Sequence, residues 1–187
     1  MTGASGIIRV SGQDSAMSYI TVNLVVEWTQ EYTPGSNYSD VVISARITRT
    51  VSPAGTLGGT WFITPAGSIK VNGTPAISWT EYGISAAWAT PGTVGWQATG
   101  TVRVEHTKSV DVVIDIPKMV WVNTSYGNAT FTIPVKTETV TLDAVEALGT
   151  ARIGNVTYDI YIGGSGKYER YRAYVGAADG SEWLPVS

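Results

Sequence analysis

Ile20, Val22, Leu24, Val26 and Trp28 alternate with Thr21, Asn23, Glu27 and Thr29. Period two is the spacing of an extended strand, whose successive side chains point to opposite faces, so this run buries one face and wets the other. The pattern recurs in Val41, Ile43, Ala45 and Ile47. It recurs again in Val110, Val112, Ile114 and Ile116, with Asp111 and Asp115 opposite. Val102 and Val104, then Phe131, Ile133 and Val135, then Val140 and Leu142 extend the set, and Gly58 to Thr64 and Ser68 to Trp79 add shorter strands. Asn72-Gly73 joins two such runs, and both residues accept positive φ, which marks a tight hairpin. The one helix-like window, Leu142 to Leu148 closed by Gly149, is too short to shape the architecture. The chain is therefore expected to be all-β: an antiparallel β-sandwich, jelly-roll or Ig-like, over residues 1–143. A linker at 144–150 then leads to a small β-rich tail at 151–187.

The tail carries a degenerate aromatic repeat. Ile153-Gly154 precedes Tyr158 and Tyr161, Ile162-Gly163 precedes Tyr168 and Tyr171, and Val175-Gly176 precedes Trp183. With Tyr174, five of the ten tyrosines fall in this stretch. A unit this short cannot bury a core by itself, so it must stack on itself, on the preceding domain or on another chain. Tyr and Trp suit interfaces because they bury much area with few rotors and keep a polar handle. Tyr158, Tyr161, Tyr168, Tyr171, Tyr174 and Trp183 are the candidate assembly interface, and a homo-oligomer is expected. Stacking on the chain's own domain is the alternative. Arg170 and Arg172 alternate with Tyr171 and are placed to stack on rings.

Composition narrows the function classes. Only 14% of residues are charged, against roughly 25% in ordinary soluble domains, so the wet faces are built from Thr, Ser, Asn and Gly. A net charge of −3 with scattered lysines and arginines gives no footprint for nucleic acid. The absence of cysteine excludes disulfides and thiolate metal sites. No run approaches the roughly eighteen apolar residues of a membrane helix, so no membrane insertion is expected. Met1 to Val10 lacks the pattern of a signal peptide. The Asn-X-Ser/Thr triplets at Asn37, Asn72, Asn123, Asn128 and Asn155 are accordingly read as Asn/Thr-rich surface.

Catalytic inventory is poor. His106 is the only histidine, so a Ser-His-Asp triad would rest on that one residue and no histidine pair for metal can be assembled. It is read as a solvated turn residue. Glu27 and Glu31, and Asp111 and Asp115, are four apart; on one strand face this is roughly 13 Å between α-carbons, too far for a glycosidase pair. No Asp/Asn-rich loop has calcium-ligand spacing, and no cofactor or metal is expected. Trp28 and Trp61 share parity with core positions. Trp79, Tyr82, Trp88 and Trp96 lie in a Gly/Pro/Thr-rich region of poor alternation, with Thr80, Glu81 and Gln97 nearby. Exposed rings flanked by such acceptors suit sugar stacking. Trp79, Glu81, Tyr82, Trp88 and Trp96 are the candidate ligand-binding set; covering a sandwich end or an interface is the competing role.

The order of motifs along the chain is familiar. Ser5-Gly6-Ile7-Ile8 is followed by Val26-Glu27-Trp28-Thr29-Gln30, Asn37-Tyr38-Ser39-Asp40-Val41, Trp61-Phe62-Ile63, Val102 to Lys108, Phe131-Thr132-Ile133-Pro134 and Thr139-Val140-Thr141-Leu142-Asp143. It resembles a family of poorly characterised tail and tail-fibre proteins of siphophages and prophages from Gram-positive hosts, whose members often end in Tyr/Trp-Gly repeats. The hairpin His106-Thr107-Lys108-Ser109 and the ending Asp143-Ala144-Val145 differ from the family's forms. The resemblance implies a virion component at the tail tip; together with the poor catalytic inventory, the expectation is a non-enzymatic virion protein of a tail tip or fibre, assembled in the bacterial cytoplasm beside other virion proteins, with a host-surface glycan as a further partner. It supplies no catalytic residue. A capsid decoration or head-fibre protein is the alternative structural role. A carbohydrate-binding module of a secreted glycosidase is the alternative class, disfavoured by the missing signal peptide and the start at Met1.

Overall fold

The structure, a computed structural model, describes residues 1–13, 21–50, 60–83, 85–87, 94–123, 129–147, 149–153, 156–163, 172–176 and 183–185. In chain order the strands are β1 (Thr2–Gln13), β2 (Thr21–Glu31), β3 (Tyr38–Thr50), β4 (Thr60–Thr64), β5 (Gly67–Val71), β6 (Thr74–Trp79), β7 (Ser85–Ala87) and β8 (Val94–Glu105). They continue as β9 (Val110–Ile116), β10 (Met119–Asn123), β11 (Ala129–Ile133), β12 (Lys136–Leu142), β13 (Gly149–Ile153), β14 (Val156–Gly163), β15 (Arg172–Gly176) and β16 (Trp183–Pro185). Every pairing among the described residues is antiparallel.

The fold is an all-β antiparallel sandwich. An eight-stranded sheet, ordered β7-β4-β10-β11-β1-β2-β3-β8, faces a four-stranded sheet, ordered β12-β9-β5-β6. One hydrophobic cluster joins them, running from Leu24, Ile43 and Trp61 on the large sheet to Ile69, Ile77, Ile114 and Leu142 on the small one. Register explains it. Ile8, Val26, Ala45 and Ala98 form one row across β1, β2, β3 and β8, and Val10, Leu24, Ile47 and Trp96 form another. Each fully buried Val, Leu or Ile in such a row is worth about 1.5–3 kcal/mol over its exposed state.

A third row contains two glycines: Gly6, Trp28, Ile43 and Gly100. A Cβ on Gly6 would meet the Trp28 indole at 2.6 Å, and one on Gly100 would meet the Ala76 carbonyl oxygen at 1.9 Å. Gly100 thus lets the edge of the small sheet cross β8 backbone to backbone. The expected hairpin is present, with Asn72 at φ 48° and Gly73 at φ 79°. Both central residues being left-handed fits the tight turn that matches strand twist. Asn72 also exchanges two 2.8 Å bonds with Val113, which ties the turn to β9.

Three local expectations are corrected. Val135 is not on the buried face with Phe131 and Ile133; it is 66% exposed, because the strand stops at Ile133, before Pro134, whose nitrogen cannot donate to a ladder. Leu142 to Ala147 contains no helix: Leu142 ends β12 and the rest is irregular. Val145 there is 2% exposed, its amide bonded to the Thr107 carbonyl, while the Glu146 carbonyl accepts from Gly35. The start of the connector is therefore docked on the sandwich. Third, β10 lies outside the set that alternation gave, since its inward positions are Met119, Trp121 and Asn123 and not a β-branched run.

Candidate functional site

Of the five residues singled out between Trp79 and Trp96, four are described, and they differ in burial and in partners. Trp79 is 6% exposed, stacked over Gly67 and donating its indole N–H to the Pro65 carbonyl at 3.0 Å. It is a core side chain and presents no ring to solvent. Trp96 shares the inward row of Ile47, is half-buried, and lies 6.3 Å from Trp121. Tyr82 and Glu81 are exposed together on the turn after β6. Glu81 accepts from Thr64 at 2.7 Å, and Tyr82 meets Phe62 edge-on at 6.4 Å. Tyr82 sits at φ 56°, an unusual conformation for a bulky residue, secured by its amide bond to the Ile63 carbonyl. Trp88 lies outside the described residues.

The tail strands pair among themselves in the order β13-β14-β15-β16. Tyr161 is directly opposite Tyr174, Tyr158 is opposite Ala151, and Trp183 is opposite Gly176. Tyr168 and Tyr171 lie outside the described residues.

His106 belongs to an ordered network. Its Nε2 is 2.8 Å from the Ser39 hydroxyl, and its Nδ1 is 2.8 Å from the Lys108 carbonyl. Ser39 accepts from Gln30 Nε2 at 2.8 Å. Gln30, wholly buried, also donates to the Asp143 carbonyl and accepts from the amides of Asp143 and Ala4. All four hydrogen-bonding capacities of its amide are used. The arrangement ties Gln30 on β2 to Ala4, Ser39 and Asp143 and, through Ser39, to His106, so it is a structural clasp. Asp111 and Asp115 accept from Thr141 at 2.6 Å and Thr137 at 2.9 Å, the expected polar sheet face. Among the described residues no three His, Asp or Glu side chains gather as metal ligands.

A different concavity opens at the end of the large sheet. It is a shallow cleft of about 360 Å³, walled by Glu31, Tyr32 and Thr33 where β2 ends, Tyr38 and Asp40 where β3 begins, and Met1 and Thr2. Its frame is rigid. The Met1 amino group donates to the Tyr32 carbonyl at 2.5 Å, and the Tyr32 amide donates to the Met1 carbonyl at 2.9 Å. Arg103 holds both Asp40 oxygens, at 3.0 and 3.2 Å, while its guanidinium lies 3.7 Å from the centre of the Tyr38 ring. Desolvation pushes the Tyr32 phenol above its ordinary pKa, with the charges of Glu146 and Asp143 adding to it. The Tyr32 hydroxyl is therefore protonated at neutral pH.

Register creates an imbalance here. Glu31 is directly opposite Asp40, which is directly opposite Arg103. Like charges facing each other across strands are destabilising. Arg103 compensates Asp40; Glu31 is exposed at the rim. Sequence reading passed over this cleft because its residues flank the loop from Thr33 to Asn37, and their contact depends on where the hairpin turns. The signal was Pro34-Gly35 between two alternating runs, which places Glu31 near Asp40. Comparison with protein-family models, with curated proteins and with solved structures gives no match for this chain.

Proposed function

We propose that the chain is a non-enzymatic structural protein of a phage or prophage particle, at a tail tip or fibre. The sandwich is its body and the terminal sheet its contact element. One observation carries the reading: β13 to β16 complete a sheet of their own and add no strand to the sandwich. Among the described residues, the hydrophobic cluster draws its members from the two larger sheets. A four-stranded sheet of 149–185 is small for independent stability and gains most by burying a face against a neighbour. The order of motifs along the whole chain supports a virion setting.

The test is deletion of residues 150–187 in the parent phage. The truncated protein should remain soluble and melt cooperatively, yet be missing from purified particles. Replacing Tyr161 and Tyr174 together by alanine should reduce incorporation, since truncating central interface aromatics costs about 2 kcal/mol or more each. Normal incorporation of the truncated chain would refute the assignment of contact to the tail. A folded protein absent from wild-type particles would refute the virion role.

A further inference from the structure

We infer that the cleft between Tyr32 and Tyr38 is a binding site for an uncharged saccharide unit. This stands on the cleft's own geometry and does not depend on the virion reading. A volume of about 360 Å³ is at the small end for ligand pockets, the scale of one or two sugar rings. The walls offer two kinds of contact that a sugar needs together. Tyr32, and the face of Tyr38 opposite the one Arg103 covers, supply aromatic surface for C–H stacking. Glu31 supplies a carboxylate able to accept from two hydroxyls at once, and the Thr33 and Tyr32 hydroxyls both donate and accept.

Charge selects against other classes. An anion would face Glu31 at the rim. A cation would face the amino group of Met1, and the Tyr38 ring already carries the Arg103 guanidinium at 3.7 Å. An uncharged polyol meets neither penalty. The first contacts are also fixed in advance, Tyr38 by Arg103 and Tyr32 by the paired main chain of Met1, so little ordering is needed on binding. The facing of Glu31 and Asp40 breaks a local pairing rule, and among the described residues an ion pair compensates Asp40 and not Glu31, as expected where a residue is kept for its ligand.

The experiment is a backbone-amide NMR titration of the full chain with the methyl glycosides of glucose, galactose and N-acetylglucosamine at millimolar concentrations. Choline chloride and inorganic phosphate are the comparison probes. At least one glycoside should shift the amides of Glu31 to Thr33 and Tyr38 to Asp40 in a saturable way, with neither comparison probe doing so. Glu31→Ala should weaken that glycoside roughly tenfold, the loss of a hydrogen bond to a charged group, and leave the remaining spectrum unchanged. Tyr38→Phe should bind nearly as well as the parent, since it keeps the stacking ring. Absence of shifts with all three glycosides overturns the inference. So do shifts centred on Glu81 and Tyr82, or equal shifts with choline or phosphate.

Discussion

The side-chain amide of Gln30 pairs with the main chain of Asp143 at both ends. Nε2 donates to the carbonyl at 2.9 Å and Oε1 accepts from the amide at 2.8 Å. A side chain on β2 thereby takes the place of a neighbouring strand just where the chain leaves β12. The second proton of Nε2 goes to Ser39 and the second lone pair of Oε1 to Ala4, so one buried amide joins four segments. Gly3 is part of the fit, since a Cβ there would meet Oε1 at 2.5 Å.

Gln30→Leu should therefore destabilise well beyond the loss of one bond. It strands the amides of Ala4 and Asp143 and the Asp143 carbonyl, each costing about 1 kcal/mol or more where water cannot reach. A total of about 2–4 kcal/mol is expected from the denaturant midpoint, with the slope unchanged. A loss under about 0.5 kcal/mol, the range of ordinary surface substitutions, would mean that water replaces the amide at no cost.

The same network fixes the tautomer of His106. Ser39 accepts from Gln30, so its own proton is free to go to His106 Nε2. Nε2 is then an acceptor, and the ring proton sits on Nδ1, donating to the Lys108 carbonyl. Long-range nitrogen–proton correlation spectra at neutral pH should show the Nδ1–H form. The Nε2–H form would require the Ser39 proton to point elsewhere. In Ser39→Ala the preference should relax.

Two glycines should respond oppositely to their surroundings. Gly100→Ala places a methyl against the Ala76 carbonyl oxygen, so the two sheets must part. A loss of about 1–3 kcal/mol, typical of overpacking, is the minimum expected. Gly73→Ala meets nothing within 4 Å, yet its φ is 79°; its cost is backbone strain alone, about 1 kcal/mol. Equal costs in thermal melts would contradict this separation of clash from strain.

Acid stability should carry a small contribution from Glu27. The hydrogen bond from Arg46, 2.8 Å away, lowers its pKa from 4.5, aided by the charges of Arg46 and Arg9. The unfolded chain then takes up the proton first as pH falls. The contribution is complete above 4.5 and is lost as pH drops through the folded value. Both partners are about a third exposed, so the effect is small and salt-sensitive. Glu27→Gln should flatten the stability curve below pH 4.5 and leave its shape at higher pH unaltered; a curve changed only near neutrality would rule the pair out as the cause.

Alternation alone determined that this chain is all-β and which residues of β2, β3 and β9 point inward. Those are local properties, because a period of two follows from the backbone of an extended chain whatever it packs against. The Asn72-Gly73 turn was equally local. Alternation did not decide which sheet a strand joins, since pairing partners are remote in sequence. Val25 shows the limit. It shares the outward parity of Asn23 and Glu27 and has Arg9 and Arg46 as cross-strand neighbours, yet it is 3% exposed. Trp79 shows it too: poor alternation made it a surface candidate, while the crossing of β6 over Gly100 made it core. The cleft between Tyr32 and Tyr38 exists only through register, which sets Glu31, Asp40 and Arg103 in one row. Register is a property of three strands at once, and no single stretch of sequence contains it.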